Sequence, residues 1–324
     1  MRAAVIGAGA AGLLHALALR AHGVSVDLVF DPDGAKAENL ASLCGARVVS
    51  SLAEIAGSDV EIVTVCSPPR WHLEQAEACA RKGRALFLEK PVAVSAAELA
   101  RLVALPGAVA IVQWRMGRAL RAVRTAIANG LLGPSPTVAV DLALHRDAAY
   151  FAAGRASVDQ WGCGALLSVG IHALDAVCFA LARPVTGVKA FLGARGASGM
   201  ERTASVAVRF EGGASLAFRV TFEGGPPDEV RLSFAGAGVT ACIVGGEADP
   251  TASEVIWRAD ETTKGALAEI ERASDGATAP PLIVPYLGRA VAALRRNEVP
   301  GTSESLPSIE DVARAHRIAF SAAE

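Results

Sequence analysis

Along the first 115 residues the apolar pattern switches period every few positions. Ala3 to Ile6 is an unbroken apolar run, the mark of a strand buried on both faces, and Leu13 to His22 repeats at helical spacing. Val24, Val26, Leu28 and Phe30 alternate and predict a second strand. The pattern continues with a helix over Ala35 to Leu43, a strand over Arg47 to Val49 and a short helix over Ser51 to Ala56. A strong strand follows over Val60 to Cys66. After Ser67-Pro68-Pro69 come a helix to about Lys82 and a strand over Ala85 to Glu89. Ser95 with Glu98 reads as a capping box that opens a helix, and Val109 to Gln113 as a sixth strand. Strands and helices in strict alternation predict an α/β layer built on a parallel, doubly wound sheet.

A helix over Arg118 to Ala128, closed by Asn129-Gly130, ends this texture. Strand-like runs then follow at Thr137 to Leu144, Val188 to Leu192, Ser205 to Phe210, Ser215 to Thr221, Val230 to Phe234 and Val239 to Val244. Most are joined by glycine-rich turns such as Glu211-Gly212-Gly213, so a largely antiparallel sheet is expected. The greasiest stretch, Ala165 to Ala182, contains Ser168, His172 and Asp175 and suits a buried core helix better than a membrane span. From Ser308 onward, Ile309, Val312, Ala313, His316 and Phe320 share one helical face.

Composition narrows the partners. Lys plus Arg is 31 against 33 Asp plus Glu, a net charge of −2 with no basic run, which argues against nucleic acid and anionic membranes and for a small molecule. The six cysteines are scattered without a CxxC pair, as expected for reduced thiols in a cytoplasmic protein. The chain opens on Met1-Arg2-Ala3-Ala4-Val5-Ile6 and runs straight into a strand, so no secretory signal is expected. His15, His22, His145 and His316 lack metal-ligand spacing with nearby Cys, Asp or Glu, and no metal is expected.

Gly7-Ala8-Gly9-Ala10-Ala11-Gly12 follows the first strand and opens the first helix, the context a GxGxxG needs. Gly7 permits the tight turn, Gly9 lets backbone approach a pyrophosphate, and Gly12 allows helix and strand to pack closely. The helix N-terminus then faces the phosphates, with Ala10 and Ala11 in its first turn. Asp31 ends the second strand, nineteen residues beyond Gly12. A carboxylate there accepts ribose hydroxyls and repels a 2′-phosphate, which favours NAD over NADP. Residues 1–116 are therefore expected to form an NAD(P)-binding Rossmann domain. Residues 117–324 are expected to form an α+β substrate and oligomerisation domain with an open, mostly antiparallel sheet. The last helix, about 308–324, is expected to pack back on the Rossmann domain.

Glu89-Lys90-Pro91 stands at the carboxyl end of the fifth predicted strand, where doubly wound sheets place their ligands. A lysine beside a nicotinamide can exchange a proton with a substrate hydroxyl. A cis bond is expected at Lys90-Pro91, since proline makes the cis form cheap.

At this point the chain resembles the glucose–fructose oxidoreductase and inositol dehydrogenase (Gfo/Idh/MocA) family over nearly its whole length. The likeness runs through the GxGxxG, Ser67-Pro68-Pro69 with His72, Glu89-Lys90-Pro91 and Gln113-Trp114-Arg115. It continues through Leu132-Gly133 and the stretch from Trp161 to Asp175, and closes on Ser308-Ile309-Glu310-Asp311. The resemblance implies catalytic roles for Lys90 and His172, with His172 exchanging the hydroxyl proton while Lys90 polarises the oxygen. It implies cofactor contacts from Ser67, Pro68, His72, Glu89, Lys90, Gln113 and Arg115 as well as the glycine loop and Asp31. It also implies a homodimer or homotetramer formed through the open sheet.

Two positions depart from the family. Ser168 stands where the family usually has Asp, four residues before the histidine, and Cys163 where Gly is usual. Members acting on nucleotide-linked or aminated sugars carry a neutral residue in place of that Asp and an Arg-x-x-x-Tyr-like segment upstream. Arg146 to Phe151 resembles that segment, which adds Tyr150, Ser168 and Asp175 as candidate substrate contacts. The expected activity is hydride transfer between NAD and a hydroxyl or keto carbon of a sugar, polyol or sugar derivative. Two alternatives stay open: a non-catalytic NAD- and sugar-binding regulator, and an enzyme of the dihydrodiol or biliverdin reductase type. The aromatic content of 5% gives little material for the apolar pocket the latter needs.

Overall fold

The computed structural model describes residues 1–81, 83–151, 161, 164–193, 195, 199–246, 250–252, 254–274, 283–304 and 306–322. The chain divides into two compact units. The first comprises residues 1–112, 159–162 and 283–313, and the second residues 113–158, 163–282 and 314–324.

In the first unit the strands are β1 (Arg2–Ile6), β2 (Ser25–Phe30), β3 (Arg47–Val48), β4 (Ile62–Val65), β5 (Ala85–Leu88) and β6 (Ala108–Ala110). They form one parallel sheet in the order β3-β2-β1-β4-β5-β6. Helices α1 (Ala10–Ala21), α2 (Gly34–Cys44), α3 (Leu52–Ala56), α4 (His72–Cys79) and α5 (Ala96–Val103) supply the crossovers. Ala3 to Ile6, Ile62, Val63 and Val65, and Leu86 to Leu88 are fully buried, which is why these strands read as continuous apolar runs. Strand order reverses between β1 and β4, the switch point outside which such sheets bind ligands. Ser95 caps α5 by accepting from the Glu98 amide, and the Glu98 carboxylate reaches back to the amide of Val94.

The second unit begins at Gln113. Its elements are α6 (Arg118–Ala128), β7 (Thr137–Ala143), the short α7 (Ala148–Tyr150), α8 (Ile171–Leu181), β8 (Val185–Leu192), β9 (Thr203–Phe210) and β10 (Ser215–Thr221). They continue with β11 (Glu229–Gly236), β12 (Val239–Gly245), β13 (Val255–Arg258) and α9 (Glu261–Ser274). The seven strands run β13-β12-β11-β7-β10-β9-β8; neighbours are antiparallel except β7 and β10, which are parallel. Val206, Val208, Leu216, Phe218, Leu232 and Phe234 are buried on one sheet face, with the Phe218 ring against Gly170. The alternate residues, among them Ala207, Arg209, Ala217 and Arg219, are exposed, and Phe191 on the edge strand is 82% exposed. A shallow depression of about 740 Å³ lies on this open face.

The expected division was 1–116 and 117–324 with only the last helix returning. In the structure residues 283–313 belong to the first compact unit. There α10 (Ile283–Arg295) packs on α1: Gly288 leaves no room for a side chain beside the His22 ring, and Arg295 donates to the carbonyls of His22 and Gly23. The Tyr286 hydroxyl donates to Ala110 O, and the Ala110 amide donates to Pro307 O. The final helix, α11 (Ile309–Ser321), starts where expected, with Ser308 Oγ accepting from the Asp311 amide. Cys163 lies outside the described residues.

Candidate active site

Three turns at the carboxyl ends of β1, β4 and β5 build the cofactor side of the site within the first unit. Gly7 has φ +92°, and a Cβ on it would come within 2.6 Å of the Ser67 amide nitrogen. A Cβ on Gly12 would meet Gly7 O at 1.9 Å. The fold itself therefore demands these two glycines. Gly9 is different: a Cβ there meets nothing within 4 Å, and the open space lies at the N-terminus of α1, which no side chain caps. A cradle of bare amides at a 12-residue helix fits a pyrophosphate. Asp31 Oδ2 accepts from the Ala8 amide at 2.7 Å and Oδ1 from the Asp33 amide at 2.8 Å, so the carboxylate is fixed under the glycine loop. With two oxygens offering about four acceptor sites, it retains capacity for ribose hydroxyls.

Ser67 Oγ donates to Gln75 Oε1 at 2.6 Å, and His72 Nε2 bonds Ser67 O at 2.9 Å. His72 is fully buried, and burial pulls its pKa down, so a neutral ring braces the Ser67-Pro68 turn from beneath. The Lys90-Pro91 bond is cis, as expected. The carboxylate before Lys90 is not a surface group. Glu89 Oε1 lies 2.9 Å from His15 Nε2, and Oε2 accepts from the Lys90 amide at 3.0 Å. Burial pushes the Glu89 carboxyl up, but the hydrogen bond and charge of His15 and the charge of Lys90 outweigh it and hold it below the usual range.

The second unit carries the other half of the candidate set. Residues Leu166–Gly170 form a π-helical turn that runs into α8, so Ser168 and His172 sit on a buried stretch, 9% and 7% exposed. Wide turns of this kind cluster at functional sites. Trp114 stacks on the His172 ring, centroids 5.0 Å apart and planes 12° from parallel. One turn further along α8, Asp175 takes a bidentate pair from Arg115, Nε to Oδ2 at 2.8 Å and Nη2 to Oδ1 at 2.5 Å. Arg115 also covers the Phe179 ring at 5.1 Å. The segment expected to resemble a sugar-nucleotide site is likewise ordered: Arg146 pairs with Asp228 at 2.9 Å and lies over the Tyr150 ring.

Sequence reasoning missed two groups that the structure places beside the candidates. Local spacing offers His15 only as a metal ligand, and its partners stand 49 and 74 residues away, beyond any local pattern. Glu201, 8% exposed, caps the turn before His172 by accepting from the Leu166 amide at 3.2 Å, and it fills the space any side chain at Gly164 would need. Burial raises its pKa.

Comparison with known proteins agrees with this geometry. Residues 1–107 match the model of an oxidoreductase family with an NAD-binding Rossmann fold, and residues 120–241 match the GFO/IDH/MocA C-terminal domain. An inositol 2-dehydrogenase of Rhizobium meliloti (strain 1021) is 34% identical over 97 residues, 30% of this chain and 29% of that protein. An uncharacterized oxidoreductase of Streptococcus pneumoniae is 42% identical over 74 residues, 22% of this chain and 20% of that protein. These matched stretches thus span less than a third of either curated relative. Over the full chain, the WlbA dehydrogenase from Bordetella pertussis, crystallised with NADH and UDP-GlcNAcA, superposes with a TM-score of 0.84 at 23% identity. That match covers 100% of this chain and 95% of WlbA. A putative myo-inositol dehydrogenase from Sinorhizobium meliloti 1021 gives 0.73 at 21% identity, covering 100% and 96%. At such identities the superpositions speak for the fold. With the family's two domain models matched in order and its glycine loop and Glu-Lys-Pro turn in place, the chain belongs to the GFO/IDH/MocA family of oxidoreductases.

Proposed function

We propose that this chain is an NAD-dependent dehydrogenase of a sugar, a polyol or a sugar derivative, with nucleotide-linked or aminated sugars favoured. The observation that carries the reading is His172, buried in the first turn of α8 just after the wide turn that carries Ser168, with Trp114 stacked on its ring. When bound, NAD supplies the hydride acceptor or donor. Gly7, Gly9, Ala10, Ala11 and Gly12 hold its pyrophosphate, and Asp31 its ribose. Ser67, Pro68, His72, Glu89, Gln113 and Arg115 shape the rest of the cofactor site. His172 takes or returns the proton of the reacting hydroxyl, and the Lys90 ammonium polarises its oxygen. Ser168 and Tyr150 orient the substrate. Asp175, with both oxygens on Arg115, acts by fixing the helix turn under His172.

The neutral Ser168 in place of an acid and the Arg146-to-Tyr150 segment support the substrate class, as does the UDP-sugar named for WlbA. The open sheet face supports a homodimer or homotetramer. Among the described residues no helix is long and apolar enough to cross a membrane, and we assign the protein to the cytoplasm. The test is a panel of sugars, polyols and sugar nucleotides screened for NADH formation. One substrate class should turn over, and Lys90→Ala and His172→Ala should each lower that turnover at least about tenfold while the chain stays folded. Full activity in either variant removes that residue from the mechanism.

A further inference from the structure

Behind the Lys90 turn lies a largely buried polar cluster drawn from α1 and from the carboxyl ends of β4 and β5. His15 is 0% exposed. Its Nδ1 meets Thr64 Oγ1 at 2.5 Å and its Nε2 meets Glu89 Oε1 at 2.9 Å, while Thr64 Oγ1 lies 3.4 Å from Cys66 Sγ. Thr64 is itself 0% exposed. The other oxygen of Glu89 receives the Lys90 amide. The chain of contacts is therefore Thr64, His15, Glu89, Lys90 backbone. A buried carboxylate is tolerated only when paired, and His15 is the partner that fills its first oxygen.

We propose that His15 is a positioning residue of the redox reaction: paired through Nε2, it keeps Glu89 an oriented carboxylate whose second oxygen fixes the Lys90 turn. The inference deepens the proposed function, since it rests on Lys90 acting at the reacting oxygen. His15 touches neither substrate nor cofactor in this scheme; it acts through Glu89. The titratable groups facing the pair are Cys66 at the end of β4, His72 on α4 and Lys90 itself. Burial pulls the His15 pKa down, but Cys66 and Glu89 outweigh it and raise it, in step with the lowered pKa of Glu89. Both directions describe an ionised pair near neutral pH. Without the imidazolium, only the Lys90 charge and amide oppose burial at Glu89, and its carboxyl protonates at a higher pH.

His15→Gln keeps a donor for Glu89 without the charge, and His15→Leu removes both. The chain has five lysines, Lys36, Lys82, Lys90, Lys189 and Lys264. Reductive methylation with ¹³C-formaldehyde gives each a resonance, and Lys90→Arg identifies that of Lys90. In the wild type the Lys90 resonance should show one pH step, its own. In His15→Gln it should gain a second step on the acid side as Glu89 protonates, while NADH, read by its fluorescence, binds within about twofold of wild type. Adding Glu89→Gln to His15→Gln should abolish the second step, which a merely structural role for His15 would not predict. A single step in both single variants overturns the inference, as does a second step that survives Glu89→Gln. If His15→Leu does not fold, His15→Gln decides alone. Should Lys90→Ala keep full turnover, the role given to Lys90 fails, and this inference with it, whatever the resonance does. Should Lys90→Ala be inactive while His15→Gln titrates like wild type, only the positioning role is lost.

Discussion

Each unit of this protein sets a buried ion pair behind a candidate catalytic side chain, and the two pairs are of different kinds. In the second unit Arg115 and Asp175 meet fork to fork, 6% and 2% exposed, one helical turn from His172. The guanidinium keeps its charge, so the cation of that brace does not depend on a proton. In the first unit the cation is His15, an imidazole, and its pairing with Glu89 depends on a proton. The His172 helix is held through a cation that keeps its charge, and the Lys90 turn through one that can be titrated.

Breaking the Arg115–Asp175 brace should give the largest effect. Asp175→Ala leaves a buried guanidinium with no carboxylate and should cost about 3–5 kcal/mol of stability by denaturant titration. A loss below about 1 kcal/mol would mean that Arg115 relaxes to solvent and that the brace is not one. Trp114, 1% exposed, is the next support of the same ring. Trp114→Leu should cost roughly 2–4 kcal/mol, whereas Trp114→Phe keeps a stacking partner for His172 and should retain more of the turnover. Equal turnover in the two would show that stacking does not orient the imidazole.

The first unit offers a finer cut. Because Gly9 has open space where a Cβ would go, Gly9→Ala should fold with stability within about 0.5 kcal/mol of wild type yet bind NADH at least about tenfold more weakly. Gly12→Ala, driven into Gly7 O, should lose both. Unimpaired NADH binding by Gly9→Ala would place the pyrophosphate elsewhere. The pH dependence separates the units directly. The raised His15 pKa gives a contribution complete below about 6.5 and lost as pH climbs toward about 10. The lowered Glu89 pKa gives one complete above its unfolded value and lost as pH falls. Hydrogen exchange should accordingly show β4 and β5 loosening at high pH before α8 does. The smallest effect belongs to Glu201, whose raised pKa makes its contribution fade as pH rises. Glu201→Gln should flatten that slope, and a slope unchanged by the substitution would clear Glu201 of it.

Much of this was legible in the chain because its signals are local. Parallel strands buried on both faces announce themselves as apolar runs, and α6 and β10 fall on the predicted residues. The elements that escaped had their patterns interrupted. Helix α10 carries Pro285 and Gly288 inside it, and α9 buries only Leu267 and Ile270 along a charged surface. The stretch from Ala165 reads as one helix, and nothing in its composition signals the wide turn before α8. Candidate residues set by motif, such as Lys90 and His172, were visible. The pairing that supports His172 is not, because Arg115 and Asp175, each a candidate for another role, stand 60 residues apart.

Glu201 also ties two distant stretches into one mechanical part. Its carboxylate lies where a side chain at position 164 would stand, and it holds the amide of Leu166, while its own backbone pairs with Ala165 just before β9. The connection leading into β9 is thereby a seat for the helix that carries His172. Anyone transplanting that helix to alter substrate preference would need to carry the strand entrance with it, and a substitution made at the sheet's rim would register at the imidazole.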